Sequence, residues 1–412
     1  MARGSPPPRR AAPVAGGRRL PIDPAPALSL AGLLIIGAVS LGLLGGNLPT
    51  LPGNGNGDGG PVRTPTPSNV IIVPPVPDIP GTFLYVKDGN IWTQTGGDAR
   101  QLTDSGRGPE DAMPVWAPDG ASIYFVRTEP ELGTWLSAGE LRQYNLQIPR
   151  LLRMAADGSG GPESLLRGRV ESGSNVWSYF IREPTISPDG TRAAIITDGP
   201  DPTLQNPVVK FVELGTRTLV DPGLPEVQSL GHASPAWSPD GRFLLYVRND
   251  REGTRGTPSI RRYNLANEQD RALTVAGAGY RTPAWSRDGR YVAATKTSAF
   301  GTDIVVLDQR NGAELLRLTN DEQSFNPVWS PMMDAIAFFK VQHGVVDLWV
   351  VKLEGTAPNW DLGEAFAMTT LAGLDAASRP AWFIPADQLP PLPTPTPEAS
   401  PESGDPGATV AP

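Results

Sequence analysis

The sequence predicts an all-β protein, a six-bladed β-propeller over residues 81–385. Three observations predict this fold. A motif of proline, tryptophan and an Asp-Gly turn recurs along the chain, apolar residues alternate with others after each turn, and the two ends of the repeat region each supply part of one blade. The 46 glycines and 46 prolines among 412 residues also fit a fold of short elements joined by turns.

The repeat has five full copies and one truncated copy. They are "PVWAPDGASIYFV" from Pro114, "PTISPDGTRAAII" from Pro184, "PAWSPDGRFLLYV" from Pro235, "PAWSRDGRYVAAT" from Pro283, "PVWSPMMDAIAFF" from Pro327 and "PAWFI" from Pro380. Intervals of 44 to 70 residues between these prolines suit a blade of four strands. The alternating pattern excludes paired helices.

The Ser-Pro-Asp-Gly part of the motif predicts a tight hairpin turn. The proline ring fixes the backbone angle that the first corner position of the turn requires, and aspartate is favoured at the next position. Glycine adopts the left-handed conformation that closes the turn. The motif aspartates are therefore predicted to be turn residues and not a catalytic set; they are Asp119, Asp189, Asp240 and Asp288. Arg287 replaces the proline in one copy, and residues 332–334 replace Asp-Gly in another; we interpret both as variation that a turn tolerates.

Each blade is predicted to run strand, Asp-Gly turn, strand, loop, strand, Gly turn, strand. Its tryptophan is expected to pack between neighbouring blades. Residues 83–103 supply three strands without the leading motif, and residues 380–384 supply the motif without the rest. The two segments are therefore predicted to share one blade, which closes the ring and removes exposed sheet edges.

The sequence before the repeats predicts a single transmembrane helix. Residues 27–46 carry no charge and, at about 1.5 Å per residue, are long enough to cross a bilayer. Residues 1–26 are basic and are expected to be a cytoplasmic tail, so that the rest of the chain lies outside the cytoplasm. The alternative is a signal peptide cleaved after small residues near Ser40, which would release a secreted protein.

Two further segments are rich in proline and are not expected to form a core. Residues 47–80 are predicted to be a Pro/Gly-rich linker, and residues 386–412 a disordered Pro/Thr-rich tail.

The composition excludes several functions. The chain has no cysteine, which excludes disulfides, thiolate metal sites and a cysteine nucleophile. Its net charge of -8 argues against a nucleic-acid partner. The two histidines, His232 and His343, are predicted to lie in surface loops, and no nucleophile elbow or phosphate loop is present. We therefore predict no catalytic residue, no metal and no cofactor.

The repeated Pro-x-Trp-Ser-Pro-Asp-Gly motif, followed by Ile/Leu-x-Tyr/Phe-Val and later by Arg-x-Leu-Thr, resembles the TolB-type six-bladed β-propeller over residues 83–384. The resemblance implies a propeller that binds proteins or peptides at the channel mouth and has no catalytic machinery. TolB carries an N-terminal α/β domain, whereas this chain has a predicted membrane span and linker there. The partners of TolB therefore do not transfer.

The two longest insertions, residues 128–149 and 167–183, are predicted to lie on one face of the propeller. Exposed aromatic and arginine side chains commonly anchor protein interfaces. The candidate binding residues are Trp135, Tyr144, Trp177, Tyr179 and Arg182, with Arg251 from a third loop at 248–256. The alternative is that the aromatic residues only pack the insertions onto the blade.

These observations lead to the hypothesis of a monomeric, membrane-anchored, extracytoplasmic scaffold that binds a protein, a peptide or a cell-wall polymer, and not nucleic acid. The alternative hypothesis is an enzyme that processes envelope carbohydrate or peptide in the propeller channel. A metal and three or more polar ligands converging in the channel would favour the enzyme.

Overall fold

The computed structural model describes residues 76–77, 79–201, 206–225, 230–252 and 255–392, without the side chains of residues 251, 252 and 255. The predicted cytoplasmic tail, the predicted membrane span and most of the linker lie outside these residues. The chain divides into two compact units, Met1–Val70 and Ile71–Pro412, and only the second contains described residues.

Within the described residues, no helix has the length and hydropathy that crossing a membrane requires.

The described chain is all-β, with strands β1–β26 in chain order and one short 3-10 helix, Ala386–Gln388. Blade 1 contains β1 (Thr82–Lys87), β2 (Asn90–Thr95), β3 (Asp98–Gln101) and β26 (Ala381–Phe383). Blade 2 contains β4 (Glu110–Trp116), β5 (Ser122–Ser137), β6 (Glu140–Ala155) and β7 (Glu163–Arg167), followed by the hairpin β8 (Arg169–Ser172) and β9 (Asn175–Ser178). Blade 3 contains β10 (Arg182–Ile186), β11 (Arg192–Thr197), β12 (Val208–Glu213) and β13 (Thr218–Val220).

Blade 4 contains β14 (His232–Trp237), β15 (Phe243–Glu252), β16 (Arg255–Asn264) and β17 (Gln269–Ala272). Blade 5 contains β18 (Tyr280–Trp285), β19 (Tyr291–Thr297), β20 (Thr302–Asp308) and β21 (Glu314–Arg317). Blade 6 contains β22 (Ser324–Trp329), β23 (Ala335–Gln342), β24 (Val345–Thr356) and β25 (Asn359–Ala367). In every blade the strands are antiparallel, and the strand that carries the proline motif is the innermost.

The ring closes as the sequence predicts. Strand β26, from the end of the folded region, pairs with β1 from its start, with Thr82 opposite Phe383. In the described residues the buried apolar side chains form six clusters, one at each interface between neighbouring blades. At the interface of blades 3 and 4, for example, the rings of Phe211 and Trp237 have centroids 4.9 Å apart. The motif tryptophan thus packs between blades, as expected.

The motif aspartates are turn residues, as predicted. In blade 4 the Ser238 hydroxyl donates to Asp240 Oδ1 (2.6 Å), and the same oxygen accepts the backbone N–H of Arg242 (3.0 Å). Gly241 follows with φ 70°, a conformation that glycine adopts without steric cost. Asp189 and Asp288 make the same set of hydrogen bonds. These carboxylates are occupied by their own turns.

The turns define two faces of the ring. We call the side with the Asp-Gly turns the turn face. The opposite side, with the connections between second and third strands and between blades, is the hairpin face. The chain enters the ring before Thr82 and leaves β26 after Phe383, so both ends of the folded region lie on the turn face.

The folded region continues past residue 385, where the disordered tail was expected to begin. Residues 386–392, which we call the strap, run along the turn face from blade 1. Leu389 packs against the apolar cluster of blades 6 and 1, as Met332 does. Further along, Arg287 donates from Nη1 to the carbonyl of Pro390 (2.7 Å). Two positions interpreted as tolerated turn variation, Arg287 and Met332, therefore lie where the strap crosses blades 5 and 6.

Candidate binding face

The two long insertions lie together on the hairpin face, but they are strands and not loops. Residues 128–149 form the outer half of the hairpin of β5 and β6, whose register continues unbroken from Ser122 opposite Ala155 to Ser137 opposite Glu140. The second insertion forms the hairpin of β8 and β9, and β9 pairs with β5 at Thr134 and Val176. Blade 2 thereby becomes a six-stranded sheet, and we call its outer part, residues 129–147 and 169–178, the platform.

Hydrogen bonds attach the second hairpin to the first. The Thr134 hydroxyl donates to the carbonyl of Ser174 (2.6 Å), and the Tyr144 hydroxyl donates to the carbonyl of Val176 (2.5 Å). Strand β9 joins β5 on the same edge as the inner strand β4 but further along it. The second hairpin therefore lies on the inner side of the blade, near the mouth of the central channel.

One side of the platform is aromatic. The rings of Trp135 and Trp177 are half-buried and meet edge to face, with centroids 6.1 Å apart. Gly133 is directly opposite Tyr144, and a Cβ atom there would be 3.1 Å from Tyr144 Cζ and 2.6 Å from Leu146 Cδ1. Gly133 therefore makes room for the tyrosine to reach β9. Three of the predicted binding residues, Trp135, Tyr144 and Trp177, form one cluster.

The other side of the platform carries exposed leucines that the sequence reasoning missed. Leu132, Leu136 and Leu141 are 63%, 51% and 55% exposed. They share a side because alternate residues of a strand point the same way and because Leu136 is directly opposite Leu141. Assigning strands to residues 128–149 would have revealed this alternation in the sequence.

The base of the platform is held by ion pairs around Glu131. Its carboxylate lies close to Arg167 and to Arg169 Nε (3.4 Å) and Arg150 Nη2 (3.4 Å). Partial burial raises the pKa of Glu131, but the hydrogen bond from Arg167 and the neighbouring positive charges outweigh it, so the pKa lies below the ordinary value. These arginines are engaged in positioning the hairpin.

The remaining predicted site residues lie elsewhere. Tyr179 is 7% exposed, packs in the core of blades 2 and 3, and donates its hydroxyl to the carbonyl of Arg167 (2.9 Å), so it packs the insertion onto the blade. Arg182 is exposed at the start of β10. Arg251 pairs through its backbone with Gly256 in blade 4, and its side chain is outside the described part of the structure.

The two histidines differ from each other. His343 is exposed in the turn between β23 and β24, as expected. His232 is only 5% exposed, which corrects its assignment to a surface loop. It lies in β14, its Nδ1 accepts the backbone N–H of Val209 (3.3 Å), and its ring meets Tyr246 edge to face (4.7 Å). Burial, aided by the charge of Arg248, lowers the pKa of His232 to about 4.

No metal cluster is evident in the part of the chain that the structure describes. No three His, Asp or Glu side chains there are grouped to hold a metal ion. Two shallow clefts of about 340 and 350 Å³ lie on the turn face, between blades 4 and 5 and between blades 3 and 4. Their polar lining includes Asp240 and Asp288, which already bond within their own turns. We therefore do not place the site there.

Comparison with known proteins supports the fold. No protein-family model and no curated protein matches this sequence. TolB from Acinetobacter baumannii superposes with a TM-score of 0.53 at 19% identity, covering 74% of this chain and 68% of that one. A protein assigned as TolB from Agrobacterium tumefaciens gives 0.50 at 16% identity, covering 74% and 98%.

A chain of a nidogen–laminin complex also gives a TM-score of 0.50, at 10% identity, covering 73% of this chain and 98% of that one. At these identities the likeness concerns the fold alone. The closed ring, the six proline-motif blades and the superpositions agree: the folded region of this chain is a TolB-like six-bladed β-propeller.

Proposed function

We propose that this chain is an extracytoplasmic scaffold, anchored in the cell membrane by residues 27–46, that binds a protein or peptide through its hairpin face. The observation that carries the proposal is the platform, where Leu132, Leu136 and Leu141 expose an apolar surface on a well-held hairpin. Exposed apolar surface grouped on one element is typical of interaction sites.

The platform is also built to bind without first becoming ordered. Its two hairpins are joined by the Thr134 and Tyr144 hydrogen bonds, and Trp135 and Trp177 pack against each other on its aromatic side. A surface that is ordered before binding avoids part of the entropic cost of association. The aromatic residues thus support the platform, while the leucines on its other side are exposed to solvent.

The anchor is proposed from the sequence of residues 1–46. Fractionation of cells that produce the full chain tests this part. The intact mass in the membrane fraction supports the anchor, whereas a chain beginning near residue 41 in the medium supports cleavage and secretion.

The binding role is tested by capturing a partner with residues 71–412, the unit that contains the closed ring. Cross-linking and mass spectrometry identify the partner, and the affinity is then measured with purified proteins. The double variant Leu136→Asp and Leu141→Asp is expected to weaken binding at least 30-fold, because it places charge in the apolar contact. Leu362→Asp is the matched control, since Leu362 is 48% exposed on β25 of blade 6.

Equal binding by the double variant and by the wild-type protein would remove the platform as the site. The enzymatic alternative requires turnover of an envelope carbohydrate or peptide. Assaying the same purified propeller, with metal analysis, tests that alternative independently of partner binding.

A further inference from the structure

The outer half of strand β6 has an uncovered edge. Strand β6 pairs with β5 over its whole length, but with β7 only from Arg150 to Arg153. Next to that pairing, the Gly168 N–H donates to the carbonyl of Pro149 (2.7 Å), and the chain then leaves β6 to form the hairpin that joins β5. In the part of the chain that the structure describes, no strand therefore pairs with residues 141–147 on this side of β6. We call this stretch the open edge.

The backbone groups of alternate residues point out from the open edge. In an antiparallel sheet the N–H and C=O of one residue point to the same side, and those of the next residue point to the other side. The carbonyl of Pro149 points towards Gly168, away from β5. The Leu136 N–H donates to Asn175 Oδ1 (2.7 Å) on the far edge of β5, although Leu136 is directly opposite Leu141. Both observations give the same alternation. The outward-pointing residues, all exposed, are Leu141, Gln143, Asn145 and Gln147.

The other long third strands have covered edges. In blade 4 the Gly277 N–H donates to the carbonyl of Pro258 in β16 (3.2 Å), and in blade 6 the Leu374 N–H donates to the carbonyl of Val346 in β24 (3.0 Å). In these blades the chain after the fourth strand thus follows the third strand. In blade 2 the corresponding segment is the second hairpin of the platform, which pairs with β5 instead.

The open edge also lacks the features that keep exposed strands from pairing. Natural edge strands are short, carry charges or proline, or are interrupted by bulges. The outermost strands β3, β13, β17 and β21 have three or four residues, and the longer β25 carries Asp361 and Glu364. Residues 141–147 carry one charge, Arg142, and no proline, and their register with β5 has no bulge. This edge is therefore suited to pairing with another strand.

We propose that the open edge pairs with the open edge of a second copy of this chain, antiparallel and about a two-fold axis at Tyr144. This register sets Leu141 opposite Gln147 of the second copy and Gln143 opposite Asn145. Every outward-pointing residue then exchanges both of its backbone hydrogen bonds with the residue opposite. A two-fold interface of this kind uses the same surface on both copies and closes on itself.

The length of the open edge selects the register. An axis one residue closer to the tip would place Gln147 opposite Gly139, which lies in the turn between β5 and β6. An axis one residue further from the tip would place Leu141 opposite Pro149, whose carbonyl is already bonded. Tyr144 is the midpoint of the open edge, so an axis there uses all of it.

The side chains in this register also suit a second copy. On the leucine side, the amides of Gln143 and Asn145 lie opposite each other, and each amide both donates and accepts hydrogen bonds. On the aromatic side, the two copies of Tyr144 form a pair without mutual backbone hydrogen bonds, in which cross-strand side chains lie closest together. Arg142 lies opposite Leu146 and not opposite its own copy, so no like charges oppose each other.

Pairing would join the two platforms into one sheet. Because the axis is perpendicular to that sheet, the leucine sides of both copies would face the same way and extend the surface proposed for partner binding. The self-association itself needs no partner. It differs from the monomer expected from the sequence, because a strand edge within residues 128–149 is apparent only in the structure.

The experiment is analytical ultracentrifugation of residues 71–412 over a range of concentrations. The wild-type protein is expected to dimerise with a dissociation constant of about 1–100 μM, since the interface is small. Gln143→Pro and Asn145→Pro each remove an outward N–H and leave the bonds to β5 intact, so they should weaken dimerisation at least 10-fold with little change in melting temperature. Gln143→Thr and Asn145→Thr keep the N–H and should dimerise as the wild-type protein does.

Single cysteines test the register, because the chain has no cysteine of its own. Tyr144→Cys is expected to give a disulfide-linked dimer on mild oxidation, since the two copies of residue 144 meet at the axis. Leu141→Cys is the matched control. It should not cross-link, although Leu141 is the more exposed residue, because its copy lies at the other end of the paired strands.

The inference is overturned if the wild-type protein stays monomeric, if the folded proline variants dimerise as it does, or if Leu141→Cys cross-links and Tyr144→Cys does not. If the proline variants unfold, the cysteine pair decides. Should the wild-type protein be monomeric and Gln143→Pro lose a captured partner, the open edge belongs to that partner instead. Dimerisation is measured without a partner, so this inference and the partner-binding proposal can fail separately.

Discussion

The two faces of the propeller are specified in different ways. On the turn face the motif builds nearly the same turn in most blades, with aspartate, serine and glycine in the same hydrogen bonds. On the hairpin face the blades differ: the tip between β1 and β2 is a two-residue turn, whereas β5 and β6 extend into the platform. The repeated residues build the ring, and the exposed leucines lie where the repeat ends.

Two tryptophans make this difference measurable. Trp237, from the motif, is 7% exposed, packs on Phe211 and donates its indole N–H to the carbonyl of Thr185 (3.2 Å). Trp237→Ala is expected to lower the free energy of unfolding by about 3–5 kcal/mol, because it leaves a cavity between blades 3 and 4.

Trp177→Ala, on the half-buried platform, should cost about 1–2 kcal/mol, since it truncates a ring that is partly solvated in the folded state. Denaturant unfolding of both variants provides the measurement. Equal losses of unfolding free energy in the two variants would show that the platform stabilises the fold as much as the motif tryptophan does.

His232 lies where its inner strand starts on the hairpin face, yet it is buried and affects the stability of the fold. Its pKa is lowered to about 4 in the folded protein, against about 6.5 in the unfolded chain. Between pH 6.5 and pH 4, His232 binds a proton in the unfolded chain but not in the folded protein. The free energy of unfolding is therefore expected to fall by about 3 kcal/mol as the pH is lowered from 6.5 towards 4.

Comparing unfolding at pH 7 and pH 4.5 checks this prediction. His232→Gln should lose less stability on acidification than the wild-type protein, while His343→Gln, which removes an exposed histidine, should behave as the wild-type protein does. The same acid loss in all three proteins would show that carboxylates alone set the pH dependence.

Two turn-face positions that depart from the motif lie where the strap crosses the ring, and removing the strap tests whether its contacts there stabilise the protein. Ending the chain at residue 385 removes the Leu389 contact and the bond from Arg287, and is expected to cost about 2 kcal/mol. Ending it at residue 392 keeps both contacts and serves as the control. Thermal unfolding of the two chains is the measurement, and equal melting temperatures would mean that the strap adds nothing to the ring.

Features that depend on residues close together in the chain could be predicted from the sequence. The turn around Asp240 depends on residues within a few positions of it, and the pairing of β26 with β1 follows from counting strands against the repeat. These inferences need no knowledge of distant contacts. The six-bladed ring, its shared blade and the role of the motif aspartates could therefore be predicted.

Features that depend on distant contacts could not be predicted. Tyr179 and Trp177 are both aromatic and two residues apart, but only the structure shows that Tyr179 enters the core and Trp177 meets Trp135. His232 is buried by its packing on Tyr246, and Arg379 reaches Pro283 across the ring. A candidate site drawn from residue type alone therefore mixed packing residues with accessible ones and missed the exposed leucines.

The smallest expected effect concerns the turn that departs most from the motif. In blade 6, Met333 takes the position of the motif glycine with φ 63°, while Asp334, one residue later, accepts the Ser330 hydroxyl (2.7 Å). A side chain in this left-handed conformation costs about 1–2 kcal/mol. Glycine avoids this cost, but its greater freedom in the unfolded chain cancels part of the gain.

Met333→Gly is therefore expected to stabilise the protein by about 0.5–1 kcal/mol in denaturant unfolding. The converse change in blade 4, Gly241→Met, should destabilise it by a similar amount. A loss of stability in Met333→Gly would mean that the methionine side chain contributes more through packing than its backbone conformation costs, so that this turn, like the hairpin face, is specified by contacts outside the motif.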